Sequence, residues 1–351
     1  MAFRDVDELA YEICCSPDEE DSMLLCERCE RGYHMACLSP PLSALPEEEW
    51  LCKNCGSCLL LNLSHDELGV IFDGLANPLQ PVVAIAFGST CLGLQIPLRA
   101  DLEVLKEQHE GAVALCRKLG TTEDYPHHAR GSSCEQVRGS VELYSIQECL
   151  NAGDVATLGL ILCKLPKLQV FELIATTVDS ACVNSFCECL RRVWLPCLTT
   201  LSFTRCRLGP AVAEALAAAV SRGALPRIEE LTVGGNSFGR EGGATLAASL
   251  RKLRALRVLQ LWGCSLGDEG VVSLFANLGK DDFKALKGLH ISGNLASDVA
   301  CAAIVASLNT DAMPALRDLH CFGALANDAD IARQSRVDDA FKQATERRGA
   351  A

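Results

Sequence analysis

The chain lacks the short motifs that mark the commonest enzyme classes: it has no Gly-rich phosphate loop, no Gly-x-Ser-x-Gly and no His-Glu-x-x-His. No apolar run approaches 18 residues, so no membrane-spanning helix is expected. The N-terminus, MAFRDVDELAYEICCSPDEED, is acidic and has no hydrophobic signal core, which points to a soluble intracellular chain. There is no cluster of Lys and Arg long enough to read as a nuclear import signal. A disulfide framework is not expected either, although the 351 residues include 21 cysteines. Eight fall before residue 59, and the other 13 are scattered singly among apolar positions, where free Cys behaves as a small buried hydrophobe in a reducing compartment.

The early cysteines are a different matter. Cys14, Cys26, Cys29, His34, Cys37, Cys52 and Cys55 stand at spacings that let a short segment fold around zinc. Two ligands separated by two residues turn both donor atoms toward one ion, and Cys26/Cys29, His34/Cys37 and Cys52/Cys55 repeat that geometry. Zinc held by four protein ligands keeps no open position, so the array argues for a folded recognition module and against metal catalysis. The surface it would present is acidic: residues 1–55 carry 13 Asp or Glu against four Arg or Lys. Of the net charge of −13, only −4 belongs to the 296 residues after Cys55. Such a surface repels phosphate backbones and attracts basic peptides, so no direct nucleic-acid binding is expected.

The stretch LLCERCERGYHMACLSPPLSALPEEEWLCKNC, with Trp50 two residues before Cys52, resembles a PHD finger. The ending Trp-x-Cys and the placing of the central His separate it from RING domains. The resemblance implies interleaved ligands, with Cys26, Cys29, Cys52 and Cys55 on one zinc and Cys14, His34 and Cys37 on a second. Tyr11 stands where the family has the second site's fourth ligand; Cys15, a water or a carboxylate is an alternative donor, and a gene model damaged at this edge is another explanation. One to two zinc ions are therefore expected. Many PHD fingers bind histone N-terminal tails by adding the tail as a strand, which implies contacts here to Met23, Leu24 and Leu25 with Asp18, Glu19, Glu20 and Asp21 just ahead. The position before His34 is Tyr33, and no Trp lies between Cys29 and His34, which favours an unmodified or lightly methylated tail. Trp50 is expected to pack the core.

After Cys55 the composition turns apolar. Leu63, Leu68, Ile71, Phe72 and Leu75 fall at helical spacing, with Ser64 placed to cap the first turn and Asp66 and Glu67 at its positive end. The segment resembles an F-box, with Ser64 where the family usually has Pro and without its later Trp; an anonymous helical connector is the alternative. The resemblance implies docking on the Skp-type adaptor of a cullin ubiquitin ligase through Leu68, Ile71, Phe72 and Leu75. A helix over Pro97–Leu119, carrying Leu102, Leu105, Val113, Cys116 and Leu119, is expected to end at Gly120. The Gly, Ser, Pro and charge content of 121–139 predicts a linker, and His127 and His128 there have no partners at ligand spacing.

From Leu168 the pattern LxxLxLxxN, with other apolar residues allowed, restarts at Leu198, Ile228, Leu256, Leu286 and Leu316, at periods of 30, 30, 28, 30 and 30. Each unit reads as a strand, a turn and an Ala-rich helix, and resembles the long, ribonuclease-inhibitor type of leucine-rich repeat. The asparagine position holds Thr176, Cys206, Asn236, Cys264, Asn294 and Ala324. Residues 329–347 are expected to cap the stack. Outward strand positions should form two columns, one of Glu172, Ser202, Thr232, Gln260, His290 and His320 and one of Ile174, Thr204, Gly234, Trp262, Ser292 and Phe322. Gln260, Trp262, His290, His320 and Phe322 are the candidate protein-binding residues, with packing by the C-terminal helix an alternative for Phe322.

The expected chain is thus multidomain: a small zinc-bound PHD finger (1–58), a short helical F-box-like region (59–120), a linker (121–140), an α/β leucine-rich-repeat solenoid (141–326) and a C-terminal capping helix or tail (327–351). It reads as a non-enzymatic recognition protein of the nucleus, with the cytoplasm also open. Its expected partners are a histone N-terminal tail, a Skp-type adaptor and a protein target on the repeats, with no membrane. A substrate receptor of a ubiquitin ligase is the first reading; a ligase-independent chromatin reader and a repeat scaffold are the alternatives. After passage over a chelating resin, elemental analysis should find between one and two zinc per chain. Tyr11→Cys should raise that value to two and raise the finger's melting temperature; if neither moves, Tyr11 does not occupy the missing ligand position.

Overall fold

The computed structural model describes residues 23–27, 32–35, 38, 41–46, 50–53, 60, 63–90, 92–121, 131–146, 148–178, 182–279, 281–310, 312–322 and 328–349. The chain divides into two compact units, Met1–Glu107 and Gln108–Ala351. Among the described residues no helix is long and apolar enough to cross a membrane.

In the first unit, strand β1 (Met23–Leu25) pairs antiparallel with β2 (Gly32–His34), Leu24 opposite Tyr33. The helix His65–Leu75 begins where the sequence places its cap. Ser64 Oγ accepts from Glu67 N at 3.3 Å, and Glu67 Oε2 accepts from Ser64 N at 2.8 Å, a reciprocal capping box that satisfies two otherwise orphaned donors. The Ser64 backbone N–H holds the Glu67 carboxyl below its usual range. The helix stops at Ala76, and Asn77 Oδ1 accepts from Leu79 N to turn the chain toward the helix Val82–Gly88. The short helix Leu92–Gln95 and the long Arg99–Cys116 follow. Leu68, Phe72, Ala84, Leu94, Leu98 and Leu105 form the interior, and Cys26 and Cys52 of the finger belong to the same cluster.

The second unit is built on one sheet of eight strands. In chain order these are β3 (Gly120–Thr121), β4 (Glu142–Ile146), β6 (Val170–Ile174), β8 (Thr200–Thr204), β9 (Glu230–Thr232), β10 (Val258–Gln260), β11 (Gly288–His290) and β12 (Asp318–His320). All neighbours are parallel except the β3–β4 pair; the short parallel strands β5 (Cys149–Leu150) and β7 (Thr177–Val178) lie apart from this sheet. The register puts Leu143, Phe171, Leu201, Leu231, Leu259, Leu289 and Leu319 side by side, all buried. A helix follows each strand from β4 to β11, beginning with Ala152–Leu162 and ending with Asp298–Leu308. A single strand could not cover that apolar row, so stacking neighbours completes the core.

The turns after the strands decide how units join. Asn236 Nδ2 donates to Phe203 O and Val233 O at 2.6 and 2.7 Å, while its Oδ1 accepts from Cys206 N and Leu208 N at 3.1 and 3.0 Å. Asn294 makes the same four contacts two units on, through Leu261, Ile291, Cys264 and Leu266. At the equivalent place Thr176, Cys206 and Cys264 donate to a carbonyl of the preceding strand, Ser145 O, Leu173 O and Val233 O. The residue before each of these has positive φ: Ala175 at 50°, Arg205 at 56°, Gly235 at 73°, Gly263 at 62° and Gly293 at 71°. Glycine meets that demand without a Cβ clash, whereas Ala175 and Arg205 meet it under strain.

Several expectations are revised. Residues 121–140 are not simply a linker: Thr121 is in β3, and Cys134–Gly139 is a helix with its own capping box from Ser133 and Gln136. Residues 122–130, with His127 and His128, lie outside the described residues. The long helix ends at Cys116 because the backbone tightens there, with Lys118 N bonded to Leu115 O and Leu119 N to Cys116 O. Inside the expected 141–326 span, a strand–helix unit lies ahead of the first pattern match at Leu168. In it Ser145, opposite Leu173, is fully buried at an apolar position, which hid the unit from the Leu pattern. At the far end Asp328–Gly349 buries Val337, Ala340 and Ala344, and Gln334 Oε1 accepts from Cys321 N and Phe322 N at 3.2 and 2.8 Å. Ala324 lies outside the described residues.

Asn236→Ala should cost about 3 kcal/mol, because two buried N–H groups and two carbonyls lose their partner. Cys206→Ala should cost about 1 kcal/mol, since it removes only a sulfur and weak S–H contacts. Urea unfolding of the full chain, followed through the repeat transition, compares them; equal midpoints would show that the asparagine contacts do not join the units.

Candidate functional site: the zinc finger and the repeat face

Of the seven zinc ligands expected, the structure describes Cys26, His34 and Cys52; Cys14, Cys29, Cys37 and Cys55 lie outside the described residues. Cys26 follows β1 directly, and Cys52 N donates to Cys26 Sγ at 3.3 Å, both residues buried. A backbone N–H aimed at sulfur stabilises a thiolate, the form in which Cys binds zinc. A second tie, Glu27 N to Trp50 O at 3.2 Å, holds the same two segments together. Trp50 meets Tyr33 edge to face, ring centroids 5.4 Å apart, against the shared core. Two of the expected ligands of the first site are therefore brought together, with backbone hydrogen bonds joining their segments.

Of the expected peptide contacts, Asp18, Glu19, Glu20 and Asp21 lie outside the described residues. Met23, Leu24 and Leu25 make up β1, and Leu24 faces inward. The sheet has two strands, so among the described residues no strand pairs with the other edge of β1.

The expected docking helix is divided by burial. Leu68 and Phe72, one turn apart, are 3% and 2% exposed and point into the cluster with Ala84, Leu94 and Leu98. That corrects their reading as contact residues: they are core in this unit. Ile71 and Leu75 are half-buried, and Val70 is 73% exposed.

On the repeat face, strand register aligns Tyr144, Glu172, Ser202, Thr232, Gln260, His290 and His320 in one row. Burial raises the Glu172 carboxyl above its usual range, helped by the negative charges of Glu142 and Glu230. Trp262 lies over the preceding turn, where a Cβ on Gly234 would come 2.3 Å from its ring, so only glycine fits beneath it. Arg205 covers the same ring at 5.3 Å from its centroid, a cation–π contact. Phe322 is buried at 8% exposure, next to the backbone groups held by Gln334 of the C-terminal helix. Of the two expectations for Phe322, surface contact or packing, its burial fits packing.

At the end of the row His290 and His320 stack edge to face with centroids 4.1 Å apart, and Asp318 lies beside both. Burial pushes the His290 imidazole below its ordinary value, His320 adds to that, and Asp318 opposes it. Sequence reasoning picked out the two histidines and missed Asp318. The signal was available: a period-30 pair of histidines at one strand position, with an acidic residue two places before the second.

A family model for the PHD-finger matches residues 12–55. The N-terminal module is a PHD finger, and zinc is its cofactor. Curated relatives match over short stretches. PHD and RING finger domain-containing protein 1 of Homo sapiens is 50% identical over 46 residues, 13% of this chain and 3% of that protein. Remodeling and spacing factor 1 of Homo sapiens is 42% identical over 55 residues, 16% of this chain and 4% of that protein. Zinc finger protein neuro-d4 of Homo sapiens is 46% identical over 43 residues, 12% of this chain and 11% of that protein. The chain thus spans a small fraction of the length of these relatives.

Because Cys26 and Cys52 share a core with Leu68 and Phe72, chelation of zinc should loosen the His65–Leu75 helix as well as the finger. Hydrogen exchange should show lost amide protection in that helix and none lost in the strands of the repeats. Phe72→Ala, at a cost of about 3–5 kcal/mol, should speed zinc release. Unchanged protection of the helix after zinc removal would mean the finger and the helices are independent.

Proposed function

We propose that this chain is a non-enzymatic recognition protein whose PHD finger binds a basic peptide of the histone-tail type and whose repeats hold a second protein. The observation that carries it is β1: an edge with no paired strand among the described residues, with Asp18, Glu19, Glu20 and Asp21 ahead of it in the sequence, one residue away. An extended basic peptide adds its main-chain hydrogen bonds along such an edge and its charge against the acidic run. The similarity to Remodeling and spacing factor 1 and neuro-d4 supports a chromatin setting, and hence the nucleus.

The 28- to 30-residue strand–helix units we read as leucine-rich repeats of the ribonuclease-inhibitor type, with the outward row of the sheet as the protein-binding surface. Gln260, Trp262, His290 and His320 are the residues we assign to it. The segment 59–94 we read as F-box-like, which gives a second function: substrate receptor of a cullin ubiquitin ligase. Exposed Val70, Val82 and Val83 on consecutive helices, beside half-buried Ile71 and Leu75, favour it. With Leu68 and Phe72 in the core, Ile71 and Leu75 are the expected docking residues left for an adaptor.

Titration calorimetry of the zinc-loaded chain should show weak binding to an unmodified histone-tail peptide that declines as salt rises, because exposed charges are screened. Joint neutralisation of Asp18, Glu19, Glu20 and Asp21 should weaken it further. Absence of binding to every histone peptide, with the finger's zinc present, removes the reader. The ligase reading is lost if the wild-type chain fails to capture a Skp-type adaptor, and supported if Ile71→Asp abolishes capture while zinc content stays unchanged.

A further inference from the structure

We propose that His290, Asp318 and His320 form a divalent transition-metal site on the repeat face, separate in position and chemistry from the zinc finger. One nitrogen of each imidazole and one carboxylate oxygen lie within 4.8 Å of one another. His320 Nε2 is 3.0 Å from Asp318 Oδ1, and His290 Nε2 is 3.8 Å from Asp318 Oδ2. Ligand atoms bound at about 2.0–2.2 Å to a tetrahedral ion stand roughly 3.3 Å apart, so these separations bracket what the ion needs.

The arrangement is set by the backbone. The β11–β12 register places His290 opposite His320 and Gly288 opposite Asp318. Asp318 and His320, two apart on one strand, share a face. That register lets the His290 imidazole reach the carboxylate of the next strand. His320 is 54% exposed at its side chain, so its ring can adjust toward an ion without disturbing the buried row.

The Asp318 carboxylate is within hydrogen-bond distance of His320 at 3.0 Å but stands 3.8 Å from His290, too far for a hydrogen bond. The His290 Nε2 atom is shielded from solvent and has no hydrogen-bond partner. A buried polar atom left in that state is costly, and a metal ion supplies the missing partner. Two imidazoles and one carboxylate suit Zn²⁺, Co²⁺ or Ni²⁺; Ca²⁺ and Mg²⁺ prefer all-oxygen sites. Three protein ligands leave at least one coordination position open. The bound ion would tie the last two strands of the sheet together beside the surface offered to a protein partner.

The test uses the full-length, zinc-loaded chain after a chelating resin has stripped loosely held metal, titrated with Co²⁺. One added Co²⁺ per chain is expected, with a visible ligand-field band but no thiolate-to-cobalt charge transfer in the near ultraviolet. That transfer would instead report exchange into the finger. His290→Ala and His320→Ala should each weaken cobalt binding by roughly tenfold or more, and Asp318→Asn should do the same, while the finger's zinc stays constant. Because His320 is exposed, its variant decides the matter even if His290→Ala fails to fold. No Co²⁺ uptake by the wild type at millimolar concentration overturns the site. Uptake with thiolate charge transfer only, or uptake that His320→Ala leaves unchanged, overturns it as well.

Discussion

Everything in the larger unit depends on the register between neighbouring parallel strands. A strand of three to five residues buries too little to stand alone, and its outward and inward faces exchange with a slip of one residue. Two features hold the register. The buried row from Leu143 to Leu319 rewards one alignment, and the side chains at the turn position reach back to a carbonyl of the strand before. Thr and Cys have a hydrogen to donate and so make that reach in place of Asn. Asn also accepts from two N–H groups of the preceding turn through an amide oxygen, a stronger acceptor than the cysteine sulfurs that backbone N–H groups meet at Cys206 and Cys264.

The same register creates whatever chemistry the outward face has. Side chains 30 residues apart become neighbours across a single strand spacing, so a period in the sequence becomes a row in space. At Trp262 the row is shaped by an absence, since Gly234 leaves the floor on which the ring lies. At His290 it is shaped by register, which sets His290 opposite His320 with Asp318 two residues before it. The ends of the stack are closed differently. Tyr144 is covered by antiparallel β3, its hydroxyl donating to Thr121 O at 2.7 Å, and the far end is covered by the C-terminal helix. Each device satisfies backbone groups that another repeat would otherwise have met.

The smaller unit rests on a different economy. A zinc finger has almost no interior of its own, and here the buried cysteines join the apolar side chains of the following helices. Metal ligation and hydrophobic packing then stabilise one body. That sharing explains why Leu68 and Phe72, apolar residues on a short helix, are not free for a partner. The amphipathic spacing that suggested a docking helix is the same spacing that builds a core, and periodicity alone does not separate the two.

The sequence by itself determined the elements whose signals are local. Ligand pairs two residues apart announced zinc, Ser64 with Glu67 announced a helix start, and a 28- to 30-residue period announced stacked strand–helix units. Such features depend on neighbours within a few residues or on repetition, and both survive in a linear text. Only the tertiary structure decided the rest: the pairing of β4 with β6 through a strand whose buried Ser145 breaks the Leu pattern; the burial of Phe72 and Phe322; and the meeting of Asp318 with two histidines. Each of these turns on which distant segments touch, and burial is a property of the assembled surface that no single residue carries.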